Sequence, residues 1–435
     1  MPPWLLKTAI VDGPFPLTVW GATAILIGVL LVRRPTRRWV LTALIALLGG
    51  AVAGAGTVLV LRLSGVLVTL PPWLAFWAGA GLGFLGLAIV SLWDSRAWRK
   101  VVAAFAIVMV LLSTTLGVNA QFGIDRTIGD LIGESTLDKA ESLPGPASSP
   151  AASGPLYKSW QPPAGMPAKG RVMELDNAEA IPSSAGFVPR NASVYLPPAA
   201  LVGGAPPLPL VVHMMGKPGA PGPQFMQEAM DQLAAENKGL APIVIVADQL
   251  GSEDNNPACV DSAAFGGVST YFNKDIPAYA LAKLPVTADH RDWTISGYSN
   301  GGACAFAWGA EHPEIWGNVV SISGEDYQGS EEPDQVLAQI FGGDQAAYDA
   351  AKPAAAAARN KGRFAGHVAI FTVGSNDPPY IPRAEASAAV AREAGFDTTK
   401  IVVPDADHVA TALQKGLPEA YRVLFPHLGL APPAP

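Results

Sequence analysis

Four long apolar runs open the chain, at 16–32, 39–61, 73–93 and 101–118. Beyond them the pattern changes to short β-rich runs alternating with longer helical periods. A helix needs about 20 apolar residues to cross a bilayer, so residues 1–118 read as a four-helix transmembrane bundle. The first run has no charged stretch before it and no clean small-residue cleavage site, which favours a retained helix over a removed signal peptide. The spacings Gly50-x-x-x-Gly54 and Gly79-x-x-x-Gly83 let apolar helices approach closely, either within one bundle or between copies of the chain. No Asp, Glu, Lys or His lies deep within a run, so nothing suggests an ion or proton path. The bundle reads as an anchor.

After residue 118 the chain is mixed. Ile128, Leu131 and Ile132 are spaced for a short amphipathic helix, and 143–155, rich in Pro, Ser, Ala and Gly, reads as a flexible linker. Residues 119–155 therefore form the connection, and 156–435 a second domain whose folded part ends near Leu430. Strands are expected at 192–196, 208–213, 243–247, 293–296, 319–323, 368–373 and 400–403. Helices are expected at 224–237, 271–284, 301–312 and 383–394. Several strands are nearly continuous apolar runs, as in a parallel sheet covered on both faces. The fold class is thus a membrane bundle followed by an α/β domain.

Composition agrees with that division. Of 435 residues, 50% are hydrophobic and only 15% charged, with mean hydropathy +0.27, whereas soluble domains carry about 25% charged residues. The first 118 residues hold nine basic residues and two acidic ones, so the rest is strongly acidic at an overall charge of −7. An acidic second domain argues against nucleic-acid binding. Arg33, Arg34, Arg37 and Arg38 fill the first connection between runs, Arg96, Arg99 and Lys100 the third, and Arg62 alone the second. Positive residues stay on the cytoplasmic side, which predicts an outside amino terminus and an extracytoplasmic second domain at the plasma membrane. Cys259 and Cys304 lack the paired spacing of a metal site. Outside the cytoplasm they suit a single disulfide; two buried thiols are the alternative. No metal or organic cofactor is implied.

The chemistry centres on Gly297-Tyr298-Ser299-Asn300-Gly301, which follows an expected strand and opens an expected helix, the context of a nucleophile elbow in an α/β-hydrolase fold. A serine hydroxyl needs a base to take its proton, and in this fold the partners follow in the order Ser, acid, His. His408 stands in a loop after the strand 400–403, ahead of the last helix, and is the expected base. His312 reads as a helix cap, His367 as structural, and His427 lies too near the chain end. Asp377 directly follows the strand 368–373 and is the expected acid; Asp405 and Asp407 are too close to His408 in one short loop. Oxyanion donors are expected from the backbone of Asn300 and, in the loop after an early strand, of Met215. His213 is expected to order that loop.

The stretches Cys259-Val260-Asp261-Ser262, Thr270-Tyr271-Phe272, Asp275-Ile276-Pro277 and Gly297 to Cys304 resemble the putative esterase (esterase D-like) family of α/β-hydrolases, which includes actinobacterial mycolyltransferases. With Asn119-Ala120-Gln121-Phe122-Gly123 after the last apolar run, the chain is similar, more narrowly, to actinobacterial membrane esterases. The resemblance covers residue 119 onward and is most specific from 243 to 324. It implies Ser299, Asp377 and His408 as the triad and a Cys259–Cys304 bridge. The family's usual Gly-Gly-His is replaced by Asp405-Ala406-Asp407-His408. Some relatives hydrolyse aminoacyl esters of phosphatidylglycerol, which by analogy makes a lipid or cell-envelope ester the expected substrate and the bilayer the expected partner. An acyltransferase of mycolyltransferase type would use the same residues, and a non-catalytic envelope-binding module is a third reading.

Overall fold

The computed structural model describes residues 1–64, 73–93, 95–123, 125–147 and 154–433, with Arg62 and Ser64 described by backbone only. It divides into two compact units, Met1–Thr136 and Leu137–Pro435.

In the first unit four long helices follow one another: α1 (Pro14–Leu31), α2 (Arg37–Ser64), α3 (Leu74–Val90) and α4 (Ala97–Phe122). Among the described residues three segments are long and apolar enough to cross a membrane: α1, α2 over Arg37–Leu61, and α4. The expected span at 73–93 is shorter than the sequence pattern suggested. As the 17-residue helix α3 it rises about 26 Å, below a hydrocarbon core of about 30 Å. Its end is local chemistry. The Ser91 hydroxyl donates to the Leu87 carbonyl at 2.8 Å, and the Leu92 and Trp93 amides bond three residues back, closing the helix in a tight turn.

The two glycine pairs meet each other. A Cβ at Gly50 would stand 2.2 Å from the Gly83 nitrogen, and one at Gly54 would stand 2.4 Å from the Gly79 nitrogen. The numbering runs in opposite senses, so α2 and α3 are antiparallel and touch through their backbones, which is the packing within one chain. Gly54→Leu is therefore expected to lower the stability of the detergent-solubilised protein by about 1–3 kcal/mol, read as the loss of its thermal transition. Gly56→Leu, where nothing lies within 4 Å, should leave the transition in place. Between α1 and α4 the buried Thr23 and Ser113 hydroxyls bond at 2.6 Å. Arg99 donates to the carbonyls of Val29 (3.1 Å) and Val32 (2.5 Å) at the end of α1, where unpaired carbonyls and the helix dipole favour a cation. The expected amphipathic segment is a single turn, Ile128–Leu131, with a Thr127/Asp130 capping box. It is held to the chain start by backbone bonds between Ile10 and Arg126 and between Ile128 and Thr8.

The second unit starts earlier than residue 156. Residues 138–145, expected in the connection, run beside the sheet: the Glu174 amide bonds the Asp138 carbonyl, the Ala140 amide bonds the Glu174 carbonyl, and the Gly145 amide bonds the Lys283 carbonyl. Of the expected linker, 148–153 lie outside the described residues.

The unit is built on eight strands: β1 (Arg171–Leu175), β2 (Ala192–Leu196), β3 (Leu210–Met214), β4 (Ile243–Val246), β5 (Trp293–Tyr298), β6 (Asn318–Ile322), β7 (Val368–Gly374) and β8 (Asp397–Val403). Their spatial order is β1-β2-β4-β3-β5-β6-β7-β8. The pairs β1/β2 and β2/β4 are antiparallel and the rest parallel. This mixed, mostly parallel sheet gives an α/β-hydrolase-like domain. The helices are α5 (Gln224–Glu236), α6 (Ile276–Lys283), α7 (Asn300–Glu311), α8 (Pro333–Gln339), α9 (Gln345–Ala351), α10 (Pro353–Arg359), α11 (Ile381–Ala394) and α12 (Ala410–His427). Parallel crossovers are right-handed. The crossover from β3 to β4 runs one way along the sheet, and those from β5 onward run the other way. They therefore put α5 on one face and α7 and α11 on the opposite face; α12 packs beside α5. Every residue of β2 to β7 is buried, which explains the continuous apolar runs. The direction of winding reverses beside β3, leaving a crevice at the carboxyl ends of β3, β4 and β5, where ligands bind in such sheets.

Candidate active site

Ser299 sits at the crevice because β5 ends at Tyr298 and α7 begins at Asn300, leaving it alone in the turn between them. Its φ of 53° and ψ of −117° lie in a region that costs a non-glycine residue about 1–3 kcal/mol. Neighbours enforce it. The Ser299 amide donates to the Ile322 carbonyl at 3.0 Å, and its carbonyl receives the amides of Gly302 and Ala303. A Cβ at Gly297 would stand 2.1 Å from the Gly301 carbonyl oxygen, and one at Gly301 would stand 2.6 Å from the Met215 oxygen. Only hydrogen fits at either position, which is the physical content of the motif.

Two further strand ends complete the group. Ser299 Oγ lies 3.1 Å from His408 Nε2, and His408 Nδ1 lies 2.8 Å from Asp377 Oδ2. Asp377 is 0% exposed. Its loop and that of His408 are joined through backbone: the Ser375 amide bonds the Val403 carbonyl and the Asn376 amide the Ala406 carbonyl. The Asp405 amide donates to Ser375 Oγ at 2.9 Å. In the altered Asp405-Ala406-Asp407 sequence, Asp405 takes φ 52°, a left-handed conformation that Asp tolerates better than most residues. Asp407 and Thr411 exchange hydrogen bonds at the start of α12.

Residues with no assigned role in the sequence reading surround His408. The Tyr298 hydroxyl donates to the His408 carbonyl, and the Tyr380 ring stacks on the imidazole with centroids 3.9 Å apart. Arg383 lies 4.8 Å from the Tyr380 ring, and the Tyr380 hydroxyl donates to Glu331. Glu325, after β6, is buried beside the elbow; burial, reinforced by the nearby Glu331 charge, pushes its carboxyl up to about 7. The only advance signal for these residues is their place just beyond a strand end.

The other histidines lie elsewhere. His213 is fully buried on β3, its Nδ1 3.0 Å from Ser296 Oγ. Burial lowers it to about 3, so it stays neutral; it lies within β3, in the strand expected at 208–213. His312 contacts Glu314, His367 bonds the Pro313 carbonyl, and His427 faces Asp397. Asn300 follows Ser299 and opens α7, and at Gly216, next to Met215, a Cβ would stand 3.2 Å from Ser299 Cβ. Cys259 and Cys304 form a disulfide with Cα atoms 5.3 Å apart, fastening the 252–262 segment to α7. Among the described residues no three His, Cys, Asp or Glu side chains are grouped to hold a metal ion.

A model of the family described as "Putative esterase" matches residues 188–414, from before β2 to the first turn of α12. The chain belongs to this family. As an esterase-family member it has a relative in Corynebacterium glutamicum, an uncharacterized protein 36% identical over 225 residues, which are 50% of this chain and 53% of that protein. The chain thus spans about half the length of the curated relative it matches. Among solved structures, a ferulic acid esterase aligns over 59% of this chain and 99% of its own at 17% identity, with a TM-score of 0.46. The S-formylglutathione hydrolase of Agrobacterium tumefaciens aligns over 60% and 96% at 17% identity and 0.46. The fluorophosphonate-binding serine hydrolase F of Staphylococcus aureus aligns over 58% and 98% at 15% identity and 0.45. Those three likenesses are too distant to bear on activity. Membership of the esterase family rests on the matched range, within which Ser299, Asp377 and His408 lie.

Proposed function

We propose that the protein is a membrane-anchored serine ester hydrolase acting on a lipid or cell-envelope ester from outside the cytoplasm. The observation that carries the reading is the hydrogen-bonded series from Ser299 Oγ through His408 to the buried Asp377. In the reaction, Ser299 Oγ bonds to the ester carbonyl carbon while its proton passes to His408 Nε2. Asp377 holds the imidazole through Nδ1 and stabilises the imidazolium. The oxyanion is met by backbone amides of Asn300 and the Met215 segment. The carbon–alkoxy bond then breaks, and the leaving oxygen takes the proton from His408. Water, deprotonated by the same nitrogen, attacks the acyl-serine; the bond from the acyl carbon to Ser299 Oγ breaks, Oγ takes the proton back from His408, and the acid is released.

Location is argued from charge and from the bundle. Arg96, Arg99 and Lys100 stand at the start of α4, so the positive-inside tendency puts its other end outside. Arg33 and Arg34 precede α2 and Arg37 and Arg38 open it, so the same tendency puts the start of α2 inside. Both basic groups can share one side only if the chain returns between α2 and α4. The antiparallel α3, at the short limit of spanning length, is the element that would make that return. The resemblance to membrane esterases makes aminoacyl-phosphatidylglycerol one candidate substrate.

The test uses the full chain in its native membrane. Protease added to intact cells should remove the second unit while leaving α1 to α4, and extracted lipids should gain one ester class when the gene is lost. Protection from protease sinks the location. Accumulation of new esters in place of free acid, when the enzyme meets ester and candidate alcohols, would favour acyl transfer.

A further inference from the structure

Gln249 stands three residues beyond β4, and its side chain is 3% exposed. Its Nε2 donates to the Met215 carbonyl at 2.7 Å and to Asn300 Oδ1 at 3.2 Å. One amide group thus reaches from the end of β4, across the end of β3, to the residue after the nucleophile, just beyond β5. These strands are neighbours in the sheet. Gln249 is itself fixed by the residue before it. Asp248 accepts the Arg190 amide (2.8 Å), both ends of the Arg190 guanidinium (2.9 and 2.8 Å) and the amides of Leu250 and Gly251 (3.0 Å each).

The loop from Met215 to Gly219 has no helix or strand of its own, and two of its five residues are glycine, so its peptide planes are free to turn unless something outside the loop holds them. Gln249 holds one. A peptide unit is planar, so drawing the Met215 oxygen toward Gln249 fixes the plane that also carries the Gly216 amide, beside Ser299. Through the same nitrogen it ties the Asn300 side chain, whose Nδ2 reaches Asn256 Oδ1 at 3.4 Å. Donors lower a barrier only if they are already aimed when charge develops.

We infer that Gln249 is a positioning residue that sets the two backbone segments of the oxyanion pocket at their working separation. It rests on the serine-hydrolase reading and adds to it a residue that touches neither substrate nor Ser299.

The probes are p-nitrophenyl butyrate turnover and the rate of labelling by a fluorophosphonate, on the full chain in detergent. Gln249→Leu should lower kcat about 30- to 100-fold, with KM changed less than threefold and labelling slowed by a similar factor. Gln249→Glu keeps the shape and loses the donor when ionised, and regains one proton to give when protonated. Its kcat relative to wild type should therefore rise as pH falls. If the leucine variant fails to fold, this ratio decides. A kcat within twofold of wild type in Gln249→Leu, or a flat ratio in Gln249→Glu, overturns the inference while leaving the Ser299 reading intact. A wild-type protein that neither turns over ester nor takes the label overturns both.

Discussion

Ser299→Ala is expected to lower kcat for ester hydrolysis about 10⁶-fold and to abolish fluorophosphonate labelling. The size follows from what is removed. Without the hydroxyl no acyl-enzyme forms, and His408 has no proton to take from the side chain 3.1 Å away. What remains is direct attack by water on an ester held near the oxyanion donors, worth about 10³–10⁴ over the uncatalysed rate. Binding should survive, so KM for the residual reaction or Kd for a non-hydrolysable ether should change less than about threefold. The fold should survive as well, because the elbow is enforced by Gly297, Gly301 and the Ser299 amide bond to Ile322 rather than by the hydroxyl. Melting temperature and the label-free binding assay report this directly. Turnover above about 1% of wild type in a properly folded variant would mean that another group attacks the ester.

How far the site could be read from sequence depended on whether each residue's place is dictated locally. Gly297, Ser299 and Gly301 were legible because close backbone approach restricts the residue types, and a strand and a helix flank them. Asp377 stood out because it follows the continuous apolar strand β7, and His408 because it stands in a loop between the strand at 400–403 and the last helix; strand ends in a parallel sheet converge on one edge. β1 was not legible: it is a five-residue edge strand with an exposed Arg171, and of its residues Met173 and Leu175 alone are fully buried. Hydropathy makes α3 too long because it does not register the turn in which the Leu92 and Trp93 amides bond three residues back. Residues 138–145 looked like tether because their partners, Glu174 and Lys283, are far away in sequence. Gln249, Tyr380 and Glu325 share that difficulty. Their roles arise from contacts among loops after β3, β4, β6 and β7, and nothing in a glutamine or a tyrosine announces which carbonyl or ring it will meet. The family resemblance helped most where backbone restricts composition, and least for these side chains.

Asp377→Asn is expected to lower kcat about 10⁴-fold with little change in melting temperature, and it separates the electrostatic role of the acid from its shape. The side chain is wholly buried, with Oδ2 2.8 Å from His408 Nδ1, while Oδ1 has no hydrogen-bond partner among the described residues. Asparagine fills the same space. An amide oxygen toward Nδ1 keeps the contact but carries no charge to stabilise the imidazolium formed when Ser299 attacks. An amide nitrogen toward Nδ1 forces the proton onto Nε2, where it blocks the base. Both orientations raise the barrier of the chemical step and leave ester binding alone, so the loss should appear in kcat and not in KM. Asp405→Asn is the matched control. Asp405 is exposed, its φ of 52° suits asparagine equally, and it lies in the same loop system, so its kcat should stay within about twofold of wild type. If the two variants lost activity equally, the effect would be one of loop charge, and Asp377 would not be the acid.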